Sequence, residues 1–158
     1  MANAILSKDT ISGKEGKAYA IIDNQYQQIL GLRKYECKAQ IQKSDVSQVG
    51  TPIEQKKPKG IQWNVSLNYY YGTPLWTKII MQYKRTGIFP DIKIVSINND
   101  AQSSYGNQEV MIKGFLPDEV LISSLDESSA SLEATMGGSA SDCDTIHEFN
   151  DAPAELLN

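Results

Sequence analysis

The feature that most constrains the fold is a pair of long runs in which apolar and polar residues alternate one by one. In the first, Tyr35, Cys37, Ala39 and Ile41 alternate with Lys34, Glu36, Lys38, Gln40 and Gln42. In the second, Ile61, Trp63, Val65, Leu67, Tyr69 and Tyr71 alternate with Gln62, Asn64, Ser66, Asn68 and Tyr70. A period of two sends successive side chains to opposite faces, so each run predicts a strand with one apolar and one polar face. Both runs exceed the roughly five or six residues of an ordinary strand. The apolar faces are expected to pack on a core, and the polar faces to meet water or a partner. Between the runs, residues 44–60 read as an extended loop holding Val46, Gly50-Thr51-Pro52 and Lys56-Lys57-Pro58-Lys59-Gly60. A connection that long is uncommon unless it has a task.

The rest of the chain reads as further strands and one helix. Residues 18–22 and 26–32, separated by Asp23-Asn24, predict a hairpin. Thr73 as N-cap and Pro74 as first helical residue open a helix over 74–86. Leu75, Trp76, Ile79, Ile80 and Tyr83 repeat at helical spacing, Lys84 and Arg85 suit the last turn, and Gly87 closes it. Trp76 and Tyr83 are read as packing anchors rather than a cofactor box. Beyond Phe89-Pro90 a strand is expected over 92–97, a polar loop over 98–107, and a hairpin of 109–116 with 119–125 around Pro117-Asp118. A last strand is expected over 131–136, before an acidic, proline-containing tail over 140–158. With no repeat and no linker, the chain is expected to be one domain, 1–158, opening on an N-terminal arm, 1–16. The fold class is mainly β with one α-helix, a β-sandwich or partly closed barrel.

Charge divides the chain. Residues 1–113 hold all 15 lysines and arginines against 9 acids, a net +6, while residues 114–158 hold the other 10 acids and no lysine or arginine. Such a subunit is suited to head-to-tail attraction between copies. The sequence pI near 5.0 argues against a nucleic-acid-binding footprint, and the aromatic residues of the second run share the expected core face rather than a stacking platform. No catalytic constellation emerges. His147 is the single histidine, and Cys143 four residues before it makes too few ligands for a structural zinc site. No phosphate-binding glycine loop and no nucleophile elbow is present. Two cysteines without a secretory signal are read as thiols. No catalytic residue, metal or cofactor is therefore expected, and the chain is read as a non-enzymatic structural protein.

The segment Thr10-Ile11-Ser12-Gly13-Lys14-Glu15-Gly16, followed at once by a strand, resembles the N-terminal motif of tail-tube proteins of contractile phage tails, the branch shared with defective prophages and R-type bacteriocins. The succeeding order is similar too: a long strand, an extended loop, a second long strand, one helix ending in Lys/Arg-x-Gly, and further strands. The glycine- and serine-rich 128–141 stretch and the Tyr69-Tyr70-Tyr71 run depart from that pattern. The resemblance implies six-membered rings stacked into a hollow tube, with strands of each subunit joining a continuous inner β-barrel. It implies partners in the chain itself, a tail sheath, baseplate and tail-terminator proteins, with DNA passing the lumen if the particle is a phage. Localisation would be the tail of a virion or bacteriocin particle assembled in the bacterial cytoplasm.

On this footing three surfaces are expected. Lys34, Glu36, Lys38, Gln40, Gln42, Gln62, Asn64, Ser66 and Asn68 would line the lumen. Val46, Thr51, Ile53, Lys56, Lys57 and Lys59 would reach a neighbouring subunit. Lys78, Gln82 and Arg85 would face a sheath. The alternatives are a tube subunit of a non-contractile tail or secretion system, and a monomeric β-sandwich module that binds a ligand.

Overall fold

A computed structural model of the chain describes residues 16–29, 31–128 and 131–149. The expected arm over 1–16, apart from Gly16, and the end of the acidic tail over 150–158 lie outside these residues. The elements run β1 (Gly16–Ile22), β2 (Gln25–Gln28), β3 (Leu32–Val46), β4 (Gln55–Tyr70), α1 (Leu75–Thr86), β5 (Ile92–Asn99), β6 (Asn107–Lys113), β7 (Leu116–Pro117), β8 (Glu133–Ala140) and β9 (Asp142–His147). The fold is mainly β with one helix, as the sequence patterns require. The strands form two open sheets, one ordered β2-β1-β5-β6-β9 and the other β3-β4-β8-β7. The chain correspondingly groups into two compact units. Among the described residues, the first gathers 16–29, Pro90–Lys113 and 143–149; the second holds 31–89, 114–128 and 131–142.

In the first unit, β1 pairs antiparallel with both β2 and β5, and β5 with β6. Asp23 and Asn24, at φ 49° and 67°, make the tight β1–β2 connection; short polar side chains of this kind tolerate the left-handed region. The second strand of this hairpin is shorter than expected: it stops at Gln28, and Leu32 already belongs to β3. Register places Ala20 opposite Ile94 and Ile94 opposite Ile112, so these share one face, and all three are fully buried. β9 closes the far edge of this sheet. It occupies a stretch read from the sequence as the start of a solvated tail. Its Asp144 pairs with Lys113 of β6, and His147 Nδ1 lies 3.0 Å from the Asn107 carbonyl oxygen.

In the second unit, β3 and β4 run antiparallel for almost their full lengths and form a two-stranded ribbon. β8 pairs with β4 only from Trp63 to Tyr70, so the half of the ribbon nearer the chain turn projects beyond the sheet. At the root, Val65, Leu67 and Tyr69 stand opposite Gly138, Met136 and Ala134, and every one of these six is buried. A Cβ on Gly138 would stand 2.6 Å from the Leu116 carbonyl oxygen and 2.8 Å from the Phe115 ring. Only glycine at 138 lets β7 and that ring approach, which is why Gly138 sits inside β8 rather than ending it. Trp76 of α1 then meets Phe115 edge to face, centroids 6.0 Å apart at 70°.

Several sequence expectations are corrected here. Residues 119–125 form no strand, so there is no hairpin around Pro117-Asp118. β6 stops before Gly114, at φ 65°, and β7 pairs with β8 instead. The last strands reach past 136, to Ala140 and then His147. The helix begins at Leu75, with Pro74 in the cap position and no side-chain cap. The Pro74 carbonyl accepts from Lys78 N at 2.9 Å and closes the first turn, leaving Thr73 one residue too early to cap. Gly87 ends the helix as expected, left-handed at φ 71°, its N–H donating to the Tyr83 carbonyl. Trp76 is buried, but Tyr83 is 48% exposed and meets Phe89 edge to face.

Candidate functional site: a projecting ribbon with a polar row

The expected loop over 44–60 is largely strand. β3 continues to Val46 and β4 starts at Gln55, leaving a connection of residues 47–54. Polar sequence hid this: charged side chains and Pro58 read as loop, yet a ribbon solvated on both faces accepts them. Lys56 pairs with Asp45 at 3.1 Å across the strands. A register shift between Gln42 and Lys43 brings Gly60 opposite Gln42 and Pro58 opposite Lys43, with Lys59 the unmatched residue. Such a bulge absorbs a proline that an uninterrupted ladder would reject.

The polar row expected from the sequence is assembled on one face. Lys34 stands opposite Asn68, Glu36 opposite Ser66, Lys38 opposite Asn64, and Gln40 opposite Gln62. Glu36 is shared by Lys34 at 3.3 Å and Lys38 at 3.7 Å. Further out, Asn64 Nδ2 donates to Gln40 Oε1 at 2.8 Å, and Gln42 Nε2 to Gln62 Oε1 at 3.3 Å. Two cross-strand amide pairs, Asn64–Gln40 and Gln42–Gln62, thus link the strands on this face. The face carries two lysines, one glutamate and a ladder of neutral amides.

The opposite, apolar face does not stay in a core along its length. Leu67 and Val65 are 0% and 3% exposed, whereas Ile61 and its partner Ile41 are 59% and 53% exposed. Tyr71 lies past the end of β4 and is half exposed, so it leaves the core face expected for it. At the tip, Val49 is fully exposed and Ile53 69% exposed, beside Val46 and Thr51. Lys56, Lys57 and Lys59 follow on β4, all exposed. The expected inter-subunit residues therefore do come together at one end of the ribbon. The expected sheath-facing residues also share one surface: Lys78, Gln82 and Arg85 border a shallow groove on α1 with Met81 and Thr77.

Two features of the ribbon root escaped the sequence reading. Arg33, set off by a register shift between Leu32 and Lys34, pairs with Glu133 of β8 while its guanidinium sits 5.4 Å over the Tyr70 ring. Arg33 and Glu133 are 100 residues apart, so no local signal could pair them. Tyr71 ties two points of the chain beyond β7. Its N–H donates to the Leu132 carbonyl at 2.8 Å, and its hydroxyl to the Ile122 carbonyl at 2.9 Å. Nearby, hydrogen bonds from Ser128 Oγ and then its N–H hold the Asp126 carboxyl below the usual carboxylate range.

Comparison with known proteins agrees with this architecture. Phage-like element PBSX protein XkdM of Bacillus subtilis (strain 168) is 25% identical over 148 residues, covering 94% of this chain and 98% of that protein. The fold is similar to a chain in the anti-feeding prophage baseplate structure, at TM-score 0.64 and 13% identity over 92% of this chain and 97% of the other. It is similar also to the SPP1 tail tube, at TM-score 0.63 and 13% identity over 94% of this chain and 86% of the other. A family profile described as phage tail tube protein matches residues 3–147, and with the ribbon and the two open sheets in place the chain belongs to the phage tail tube protein family.

Proposed function

We propose that copies of this chain close into six-membered rings that stack into the hollow inner tube of a contractile phage tail or phage-tail-like bacteriocin, a conduit for DNA or ions. The observation that carries this is the four-stranded β3-β4-β8-β7 sheet, open at both edges, whose long edge strand β3 carries one polar face cross-linked to β4 by amide pairs. An exposed long edge strand invites uncontrolled pairing. Closure of the sheets of several copies into one barrel removes every such edge. The similar anti-feeding prophage chain comes from an assembly described as 6-fold symmetrised, which supports the ring number.

In this reading the whole chain acts as one subunit. Lys34, Glu36, Lys38, Gln40, Gln42, Gln62, Asn64, Ser66 and Asn68 line the lumen. The neutral amides, and two lysines that share one glutamate, leave a net charge of only +1 along the row, and tight phosphate binding grows with the number of cationic contacts. The groove bordered by Lys78, Gln82 and Arg85 faces a sheath, and baseplate and terminator proteins cap the ends. Negative-stain electron microscopy of the purified chain over a range of concentration and salt tests the reading. Hollow rings or tubes are expected; a monomer under every condition, including with tail fragments added as seeds, would overturn it.

A further inference from the structure

Helix α1 and its flanks are cationic: residues 72–90 hold Lys78, Lys84 and Arg85 and no acid. Lys78 and Arg85 form no ion pair among the described residues. They stand seven residues apart, two turns along one helix face, about 10 Å at 1.5 Å per residue. The groove they border, of about 470 Å3, is lined between them by Pro74, Thr77 and Met81. At Pro74 and Thr77 it adjoins a second pocket of about 290 Å3, walled by Tyr71 and Ile122. Both wall residues are 37% exposed, and the bond from the Tyr71 hydroxyl to the Ile122 carbonyl fixes them together. The two volumes together fall within the roughly 300–1,000 Å3 of clefts that hold ligands. The chain on either side of Ile122 is acidic, with Asp118, Glu119, Asp126 and Glu127. The groove thus joins a cationic helical stretch to an apolar end set among acids.

We infer that this groove takes the segment Asp151-Ala152-Pro153-Ala154-Glu155-Leu156-Leu157 of a second copy of the chain. The segment lies beyond the family match, so the contact is no part of the shared tube fold. Its two acids are four residues apart and span up to about 13 Å of extended chain, enough to reach both Lys78 and Arg85. Pro153 between them keeps Ala152 out of the helical region and so favours that extended spacing. Asp151 meets Arg85, and Glu155 meets Lys78 beside a first helical turn that holds no acid of its own. Leu156 and Leu157 then enter the Tyr71–Ile122 pocket, where the surrounding acids would repel a carboxylate. Exposed ion pairs contribute little each, so burial of the two leucines carries the affinity and the charges set the direction. The contact is weak between free chains, but neighbours held in one assembly meet at effective concentrations on the order of millimolar, which fills it. In a tube, and resting on the reading above, the segment holds the groove until a sheath displaces it.

A fluorescein-labelled peptide of residues 149–158 tests this by fluorescence anisotropy. It is titrated into the dilute, unassembled full chain whose own segment is disabled by Asp151→Asn, Glu155→Gln, Leu156→Ala and Leu157→Ala, with circular dichroism checking that every variant folds. Saturable binding of one peptide per chain is expected, weakening as salt rises. Adding Lys78→Glu and Arg85→Glu to the chain should weaken it about tenfold or more, since like charges then face each other. Lys84→Glu, outside the groove, should change it less than about threefold. A peptide with Asp151→Lys and Glu155→Lys should bind the Lys78→Glu, Arg85→Glu chain and restore the contact. No saturable binding, or binding that the Lys78 and Arg85 reversals leave unchanged, would overturn the inference. Dilute wild-type chain should bind the peptide as tightly as the disabled chain does, because its groove is open until copies assemble. Weaker binding to dilute wild type would place the segment in its own chain's groove and overturn the assignment to a second copy. Since the peptide is scored on unassembled chains, a failure to form tubes leaves this result standing, and tubes without peptide binding leave the tube reading standing.

Discussion

The two halves of the ribbon share one sequence pattern and meet two different fates. Toward the root, the alternation Val65, Leu67, Tyr69 delivers three side chains that are all buried. Toward the tip, the same alternation delivers Ile41 and Ile61, more than half exposed. Both halves are strand, and both keep the polar row on the other face. The difference lies in the neighbours: β8 and Phe115 cover the root, whereas no third strand pairs with the tip among the described residues. Strand character follows from local pattern and cross-strand pairing, but burial requires another element within reach. A protein that holds an apolar strand face in water has a surface prepared for a second chain, provided charge limits which chain it is.

The largest expected effect comes from mutating equivalent positions in the two halves. Leu67→Ala should cost about 3 kcal/mol of monomer stability in urea unfolding, as expected for a fully buried leucine. Ile61→Ala should cost less than about 0.5 kcal/mol, because most of its surface is already wet. Equal losses at both positions would show that the tip is packed in solution and would erase the distinction. Next in size is Gly138→Ala. The added methyl would collide with the Leu116 carbonyl and the Phe115 ring, and a loss of about 2 kcal/mol is expected. A neutral result would mean that β7 yields easily and that the root cover is loose.

Smaller effects probe how the root is tied. Arg33→Ala removes an ion pair and a cation–π contact, but both partners are about half exposed, so a loss under about 1 kcal/mol is expected. A much larger loss would indicate that this cluster sets the ribbon's attachment. The smallest effect concerns Asp126. Its folded carboxyl is held below the ordinary range, so the Asp126–Ser128 turn is tightened at pH values above the unfolded carboxylate range. That contribution fades as pH falls through the lower folded value. Ser128→Ala should move the Asp126 titration, followed by NMR, part of the way back toward the ordinary value, since the backbone N–H bond stays; an unchanged titration would remove the Ser128 hydroxyl as a cause.

Much of the architecture could be read from single residues. The period of two at 34–42 and 61–70 identified β3, β4 and the polar row, because strand geometry alone separates the faces. Pro74, the spacing of Trp76 and Ile79, and Gly87 identified α1 within a residue. What could not be read was wherever pairing overrides composition. Lys56-Lys57-Pro58-Lys59-Gly60 reads as loop yet is strand, because cross-strand hydrogen bonds and a bulge hold it. Residues 119–125 read as strand yet form none, because β8 already has β7 as its neighbour before them.

By itself, then, the sequence determined which side chains share a face, where the helix lies, and that its charge divides into a cationic part and an acidic part. These depend on intervals of a few residues and on covalent order. Only the tertiary structure decided how far the ribbon projects, which half of its apolar face stays wet, and that Arg33 meets Glu133. Those outcomes depend on contacts between residues far apart in the chain, made or refused by packing and steric fit, as Gly138 does in admitting Phe115, and no local pattern encodes them.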